Sequence, residues 1–298
     1  MKKYDVIVIG TGAGNIILEE ALKEGLHCAQ IERGKFGGTC LTRGCIPTKV
    51  LATVADQIRK IEESDRIGIK TTKPTVDWEV VSDRVWDKID ESQELNEFYH
   101  HEKNLDVYEG TGYFVSDKVI EVSYRNGTTS EQMTADKIFI NVGGRTKVPV
   151  IKNLEEVGYL TSETFFGEKY PTKPYESLII VGGGPIGVEF AHIFSAMGTK
   201  VTVVQHNVRL LPKEEKESSE LVLKYLRKFG VEVHLNKETN EIRQEGRKKV
   251  LEIQDRATGE ITTVSAEEIF IAPGIRSNSD LLKIENTSIE VDKRGWIV

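Results

Sequence analysis

With 298 residues, 39% of them hydrophobic and 29% charged, the chain has room for two domains of ordinary size, and it carries no Pro/Gly/Ser-rich tract of the disordered kind. A net charge of −7 argues against a general binder of nucleic acid or anionic membrane, while leaving room for a local basic pocket that takes a phosphorylated cofactor. No apolar run reaches membrane-spanning length, and "MKKYDVIVIG" lacks the apolar length and cleavage site of a signal peptide, so the expected compartment is the cytoplasm.

The first element is "YDVIVI", Tyr4 to Ile9, a nearly unbroken apolar run that predicts a parallel strand buried on both faces. "GTGAGN" follows from Gly10 to Asn15, then "IILEEALKEG", which has helical spacing and a stop at Gly25. The next apolar stretch, "HCAQI", ends in Glu32, at the distance of about 20 residues expected for an acid on a ribose. Strand, glycine turn, helix, strand and acid together form the layout of a dinucleotide site. Glycines let the backbone approach a diphosphate, and the helix N-terminus offers N–H donors. Taken alone the motif is weak, because Asn15 stands where Gly or Ala is usual and a glycine turn in an unrelated α/β protein reads the same way.

"GGTCLTRGCIPTK", Gly37 to Lys49, holds two of the three cysteines. Gly44 would help the loop curl so that Cys40 and Cys45 can cross-link. Pro47 suits a first helical turn, which places Cys45 at a helix N-terminus, where the dipole favours a thiolate. A thiolate beside a second thiol suits a cycling dithiol and disulfide. The competing readings are zinc, which wants three or four N/S ligands and finds no further Cys or His nearby, and a pair of inert buried thiols. No metal site is expected. Cys28, alone on a predicted strand, reads as core packing.

Val50 to Ile61 and Trp78 to Tyr99 have helical periodicity, with Trp78 and Trp86 on one face as expected core anchors. Leu105 to Val142 alternates like strands, with a turn at Asn126-Gly127. The dinucleotide layout then recurs in "SLIIVGGGPIGVEFAHIFSAMGTKVTVVQH", Ser177 to His206. Two such units in one chain are far less a matter of chance than either alone. In the second, Gln205 occupies the place of Glu32, with His206 beside it and Arg209 a little further on. The missing acid permits a 2′-phosphate without demanding one, and the nicotinamide choice stays open.

A glycine-turn site followed by a CxxxxC loop and a second glycine-turn site resembles the pyridine-nucleotide disulfide oxidoreductases, a family that includes dihydrolipoamide dehydrogenase, glutathione reductase, mercuric reductase and mycothione reductase. "GGTCLTRGCIPTK" is the most specific match, and "GTGYF", "IFINVGGRTKVP", "GGGPIGVEFA" and "IFIAPGIRSN" fall in the family's order over the whole chain. "GTGAGNIILEE" and "SNSDLL" look most like the mycothione reductase branch. The resemblance implies an α/β fold of two Rossmann-like dinucleotide-binding domains: residues 1–149 for FAD with the redox-active disulfide, 150–275 for NAD(P), and 276–298 returning to the first.

FAD would then lie along Gly10, Gly12, Gly14 and Asn15, Glu32 and Arg33, Gly38 and Thr39, Lys49, Gly112 and Gly143. NAD(P)H would bind at Gly182, Gly184, Ile186, Gly187 and Glu189, with Gln205, His206 and Gly274. Cys45 would face the flavin and Cys40 the disulfide substrate, while Lys49, paired with Glu189, would stabilise charge on reduced flavin. Electrons would pass between NAD(P)H, FAD, the Cys40–Cys45 disulfide and a small disulfide or dithiol.

The chain ends in "VDKRGWIV", where relatives continue into an Ala-x-Gly-Asp segment and a C-terminal interface domain that forms a homodimer and supplies a His–Glu pair. The resemblance therefore implies a truncated chain lacking that domain and turning over disulfide poorly. Pro273 and Ile275 also replace the Thr and Arg that relatives tend to have. A mercuric reductase-like enzyme is a sibling reading. A non-catalytic, redox-sensing nucleotide-binding module is the reading from another class.

Overall fold

The apolar run at the N-terminus forms the centre of a sheet. The computed structural model describes residues 1–298. Its first elements are β1 (Lys2–Ile9), α1 (Asn15–Lys23), β2 (Cys28–Glu32), α2 (Gly38–Thr42), α3 (Cys45–Glu62) and α4 (Trp78–His101). Four strands follow: β3 (Leu105–Glu109), β4 (Thr111–Ser116), β5 (Val119–Ser123) and β6 (Met133–Ile140). Next come β7 (Gly144–Thr146), α5 (Leu154–Val157), α6 (Ser162–Phe165), β8 (Ser177–Val181), α7 (Pro185–Ala196), β9 (Lys200–Val204) and α8 (Lys216–Lys228). The chain finishes with β10 (Glu232–His234), β11 (Lys237–Glu245), β12 (Lys248–Asp255), β13 (Ile261–Ala266), β14 (Glu268–Ile271) and β15 (Ile275–Ser277). Two compact units result. The first comprises Met1–Pro47, Trp86–Arg145 and Ile275–Val298, and the second comprises Thr48–Val85 and Thr146–Gly274.

In the first unit the sheet order is β3-β2-β1-β6-β5-β4. β1, β2, β3 and β6 are parallel, with Ile9 level with Ile31 on one side and Ile140 on the other. β5 and β4 extend the sheet antiparallel. All five residues of β2 are buried, as a parallel strand covered on both faces requires. Alternation from Val6 to Ile9 splits the core. Ile7 and Ile9 pack in a cluster with Phe114, Ile120, Met133 and Leu282, which Tyr4 also joins, while Val6 and Val8 pack with Leu18, Ala21, Phe36 and Tyr99. Each of the Val, Ile, Leu, Phe and Met side chains here, fully buried, contributes roughly 1.5–3 kcal/mol.

In the second unit the order β10-β9-β8-β14, all parallel, repeats the arrangement of β3-β2-β1-β6. Strands β11, β12 and β13 form a separate antiparallel sheet, and Ile242, Leu251, Ile253 and Val264 pack there against Ile179, Val181 and Ile269. Phe190 of α7 stacks on Phe270 of β14 at 4.3 Å between ring centroids. The fold is therefore α/β with two Rossmann-like nucleotide units.

Two local expectations change. The stretch between the cysteines, expected as a loop, contains the short helix α2, because Gly37 takes a left-handed φ of 94° and the Thr42 hydroxyl donates to the Gly38 carbonyl at 2.7 Å. The two tryptophans of α4 do not share one core. Trp78 is buried in the second unit, donating to Pro171 O at 2.9 Å and stacking on Tyr170. Trp86, in the first unit, is half-buried with Lys35 Nζ 5.0 Å above its ring. A helix that crosses from one compact unit to the other serves different cores with different turns.

Candidate active site

β1 ends at Ile9, and the chain turns through Gly10, whose φ of 103° belongs to the left-handed region. A Cβ on Gly10 would strike the Asn141 carbonyl, one on Gly14 would overlap the Asn141 side chain, and one on Gly38 would overlap Gly12. Three close approaches thus hold a cradle of bare backbone at the start of α1, whose N-cap Gly14 places no side chain over the first-turn N–H groups. Glu32 closes the end of β2, 8% exposed. Its Oε2 accepts from Thr11 N at 2.9 Å and Thr11 Oγ1 at 2.7 Å, and its Oε1 accepts from Gly34 N at 2.8 Å.

These groups wall a cavity of about 490 Å³ within the first unit. Of the sequence candidates it brings together Gly10, Gly12 and Gly14, then Glu32 and Arg33, then Gly38, Thr39, Cys40 and Cys45, with Gly112 of β4 and Gly143 from the loop after β6. Asn15 is not among them: its Nδ2 donates to Tyr99 OH at 3.0 Å, so the side chain serves the α1–α4 packing. Sequence reasoning missed Thr11, Arg43, Asn141, Asn278 and Leu282 as lining residues. Asn141 was within reach of it, since it directly follows the strand that pairs with β1 and so stands at the carboxyl end of the sheet, where such folds bind ligands. Its Nδ2 is buried without a hydrogen-bond partner.

Cys40 lies on α2 and Cys45 is the first residue of α3, at the positive end of an 18-residue helix. Both are exposed thiols. The hydrogen bond with Cys45 is the main cause that raises the Cys40 thiol above its ordinary value of 9.0, with burial adding to it. Arg43 N donates to Thr39 O at 3.0 Å and closes the turn between them. Cys28 is different: it is fully buried, and burial pushes its thiol up to about 11.

In the second unit Gly182 turns with φ of 114°, Gly184 caps α7, and Pro185 stands at its first position. A Cβ on Gly187 would overlap the Gly182 carbonyl oxygen, so only glycine lets α7 pack this closely on β8. Gln205 repeats the role of Glu32: it is buried, its Oε1 accepts from Gly183 N at 2.9 Å, and its Nε2 donates to Arg209 O at 3.1 Å. His206 Nδ1 lies 3.1 Å from Glu238 Oε2. The Arg209 guanidinium is turned to the carbonyls of Pro212 and Glu214. Lys49 forms an ion pair with Glu189, and both line a groove of about 880 Å³ beside His192 and Tyr225. Gly182, Gly184, Ile186, Gly187, Gln205, His206 and Gly274 do not line that groove. His192 Nε2 is held by Asp56 at 2.9 Å.

The chain thus holds a parallel-sheet nucleotide unit twice, with a pair of thiols lining the cavity at the first glycine turn. The family model of the pyridine nucleotide-disulphide oxidoreductases matches residues 4–298, and the chain belongs to that family. It is 31% identical to a dihydrolipoyl dehydrogenase of Bacillus subtilis over 99% of this chain and 63% of that protein. To a mycothione reductase of Mycobacterium tuberculosis it is 33% identical over 100% of this chain and 63% of the relative. Among solved structures, the HOCl-induced flavoprotein disulfide reductase RclA of Escherichia coli superposes with a TM-score of 0.82 at 28% identity, over 99% of this chain and 62% of that one. The chain thus spans a little under two thirds of the length of these relatives.

Members of the family work with FAD and NAD(P)H. The residues of the first unit fit FAD: a glycine cradle with no room for Cβ atoms, a cavity of ligand size, and an unpartnered buried amide on its wall. No helix is long and apolar enough to cross a membrane.

Proposed function

We propose that this protein is an FAD-dependent NAD(P)H:disulfide oxidoreductase of the dihydrolipoamide dehydrogenase or mycothione reductase type. It would work in the cytoplasm as a homodimer, with FAD held by residues 1–149 and 276–298 and NAD(P)H by residues 150–275. One observation carries the reading: Cys40 and Cys45 line the same cavity as the Gly10–Gly14 turn. Bound FAD supplies two-electron transfer between a nicotinamide and the cysteine pair. The glycine turn and the start of α1 would hold its diphosphate, and Glu32 its ribose.

The cysteines would alternate between one disulfide and two thiols, a change of two electrons and two protons. In the reduced form the Cys40 thiolate would attack the substrate disulfide, giving a mixed disulfide and releasing one substrate thiol. Cys45 would then attack the Cys40 sulfur, releasing the second thiol and restoring the Cys40–Cys45 bond. Lys49, oriented by Glu189, would offer a positive charge where electron density builds during transfer.

Anaerobic titration of the FAD-loaded protein with NADH, and separately with NADPH, tests the proposal. The expected result is a long-wavelength thiolate–flavin absorption band at two-electron reduction that disappears in Cys45→Ser. Bleaching of the flavin without that band in the unsubstituted protein would instead identify a nucleotide-binding module whose cysteines stand apart from the flavin. Lys49→Met should slow flavin reduction by roughly a hundredfold, the size expected for one preorganised electrostatic group.

A further inference from the structure

Three charged side chains line the first-unit cavity: Glu32, Arg33 and Arg43. The carboxylate of Glu32 already accepts three hydrogen bonds, from Thr11 N, Thr11 Oγ1 and Gly34 N. The two guanidinium groups are placed differently. Arg33 also lines an adjoining hollow of about 370 Å³ with Glu109, Tyr124 and Arg125, whereas Arg43 lines the glycine-turn cavity and is absent from that hollow. Arg43 also has a fixed origin. Its N–H donates to Thr39 O at 3.0 Å at the end of α2, and the Thr42 hydroxyl closes the same turn on Gly38 O at 2.7 Å. From that origin, between the two cysteines, the side chain extends toward Glu32. Its Nη1 lies 3.8 Å from the point where a Cβ on Gly34 would stand, and Glu32 Oε1 lies 3.6 Å from the same point.

We propose that Arg43 is a cofactor-positioning residue that takes the negative charge of the dinucleotide diphosphate and so ties the cysteine turn to the bound cofactor. The proposal rests on reading the cavity as an FAD site. The glycine turn and the start of α1 offer only backbone dipoles, equivalent to about half a positive charge at the helix end. A diphosphate brings two full negative charges into a partly enclosed space. A guanidinium presents planar, paired N–H donors that match phosphate oxygens, and a half-buried one is screened less by salt than one in open water. Because Arg43 leaves the backbone between Cys40 and Cys45, an interaction at its tip also restrains α2 and the start of α3.

The test is binding rather than turnover. Dissociation constants for FAD, ADP and riboflavin are measured on the apoprotein and on its Arg43→Met and Arg43→Lys variants. For Arg43→Met the expected result is a roughly 10- to 100-fold loss for both FAD and ADP, the loss that follows from one or two charge-assisted hydrogen bonds. Riboflavin, which has no phosphate, should bind as before. Arg43→Lys should fall between, since it keeps the charge and loses the fork. It also carries the test if Arg43→Met lowers the melting temperature of the apoprotein. Unchanged FAD affinity in the variants, or equal weakening of FAD and riboflavin, would overturn the proposal while leaving the FAD reading intact. An unsubstituted, folded protein that binds neither FAD nor ADP would overturn both.

Discussion

Cys40, Cys45 and Cys28 are the same residue type in three different chemical settings. Cys28 is enclosed by the sheet and its thiol is raised to about 11, so it should react with iodoacetamide only when the first unit unfolds. Cys40 is raised chiefly by its hydrogen bond with Cys45. Cys45→Ala removes that bond, so the pH midpoint of Cys40 alkylation should fall; mass spectrometry of carbamidomethylated peptides across a pH series reads it directly. A midpoint that stays put would show that the two sulfurs do not share a proton. A second residue-scale case concerns acid stability. Hydrogen bonds from Arg145, then the charges of Arg145 and Arg276, pull the Asp280 carboxyl down to about 2 from its ordinary 3.8. A folded-state value below the unfolded one stabilises above the unfolded value, and the gain is lost as pH falls through the folded one. Asp280→Asn should therefore lower the melting temperature at pH values above about 4, with the gap to the unsubstituted protein closing toward pH 2.

Among the elements, the two glycine turns show how close packing and ligand access are met by one residue type for separate reasons. Gly187 is needed because α7 sits against the Gly182 carbonyl, whereas a Cβ on Gly184 would meet nothing within 4 Å. Gly187→Ala should cost about 1–3 kcal/mol in urea unfolding, the range for overpacking. Gly184→Ala, with extended backbone, should leave stability nearly unchanged, and any loss there should appear in NAD(P)H affinity alone. Equal stability losses would mean that the helix can slide off β8 at no cost. The short helix α2 matters for a related reason. With Cys40 in the middle of α2 and Cys45 opening α3, the sulfurs are held by helical backbone rather than by a free loop.

At the scale of the whole molecule, the first-unit cavity is assembled from segments far apart in the chain: Gly10–Gly14, Glu32–Cys45, Gly110–Gly112, Asn141–Gly143 and Asn278–Leu282. Addition of FAD should slow amide hydrogen exchange in all five together. Protection limited to the first two would mean that the far segments do not enclose the cofactor. FAD at a hundred times its dissociation constant should add about 2.7 kcal/mol to the stability of the state that binds it, seen as a raised melting temperature.

The motifs at Gly10, Gly182 and Cys40–Cys45, the buried parallel strands and the acid at Glu32 are all legible without coordinates, because each is a local pattern imposed by backbone geometry or strand burial. Pairing between distant segments is not. Nothing in the spacing of Asn278 or Leu282 announces that they share a cavity with Gly10, or that Asn15 turns away to Tyr99. The tryptophans of α4 look alike in periodicity and separate only when the helix passes between two cores. Arg43, an ordinary charged residue by pattern, becomes a cavity residue once α2 folds back over the glycine turn. Local sequence therefore determined which stretches would turn, cap and span. Long-range packing decided which of their side chains meet, since contact across some 270 residues depends on how the whole chain excludes water from its cores.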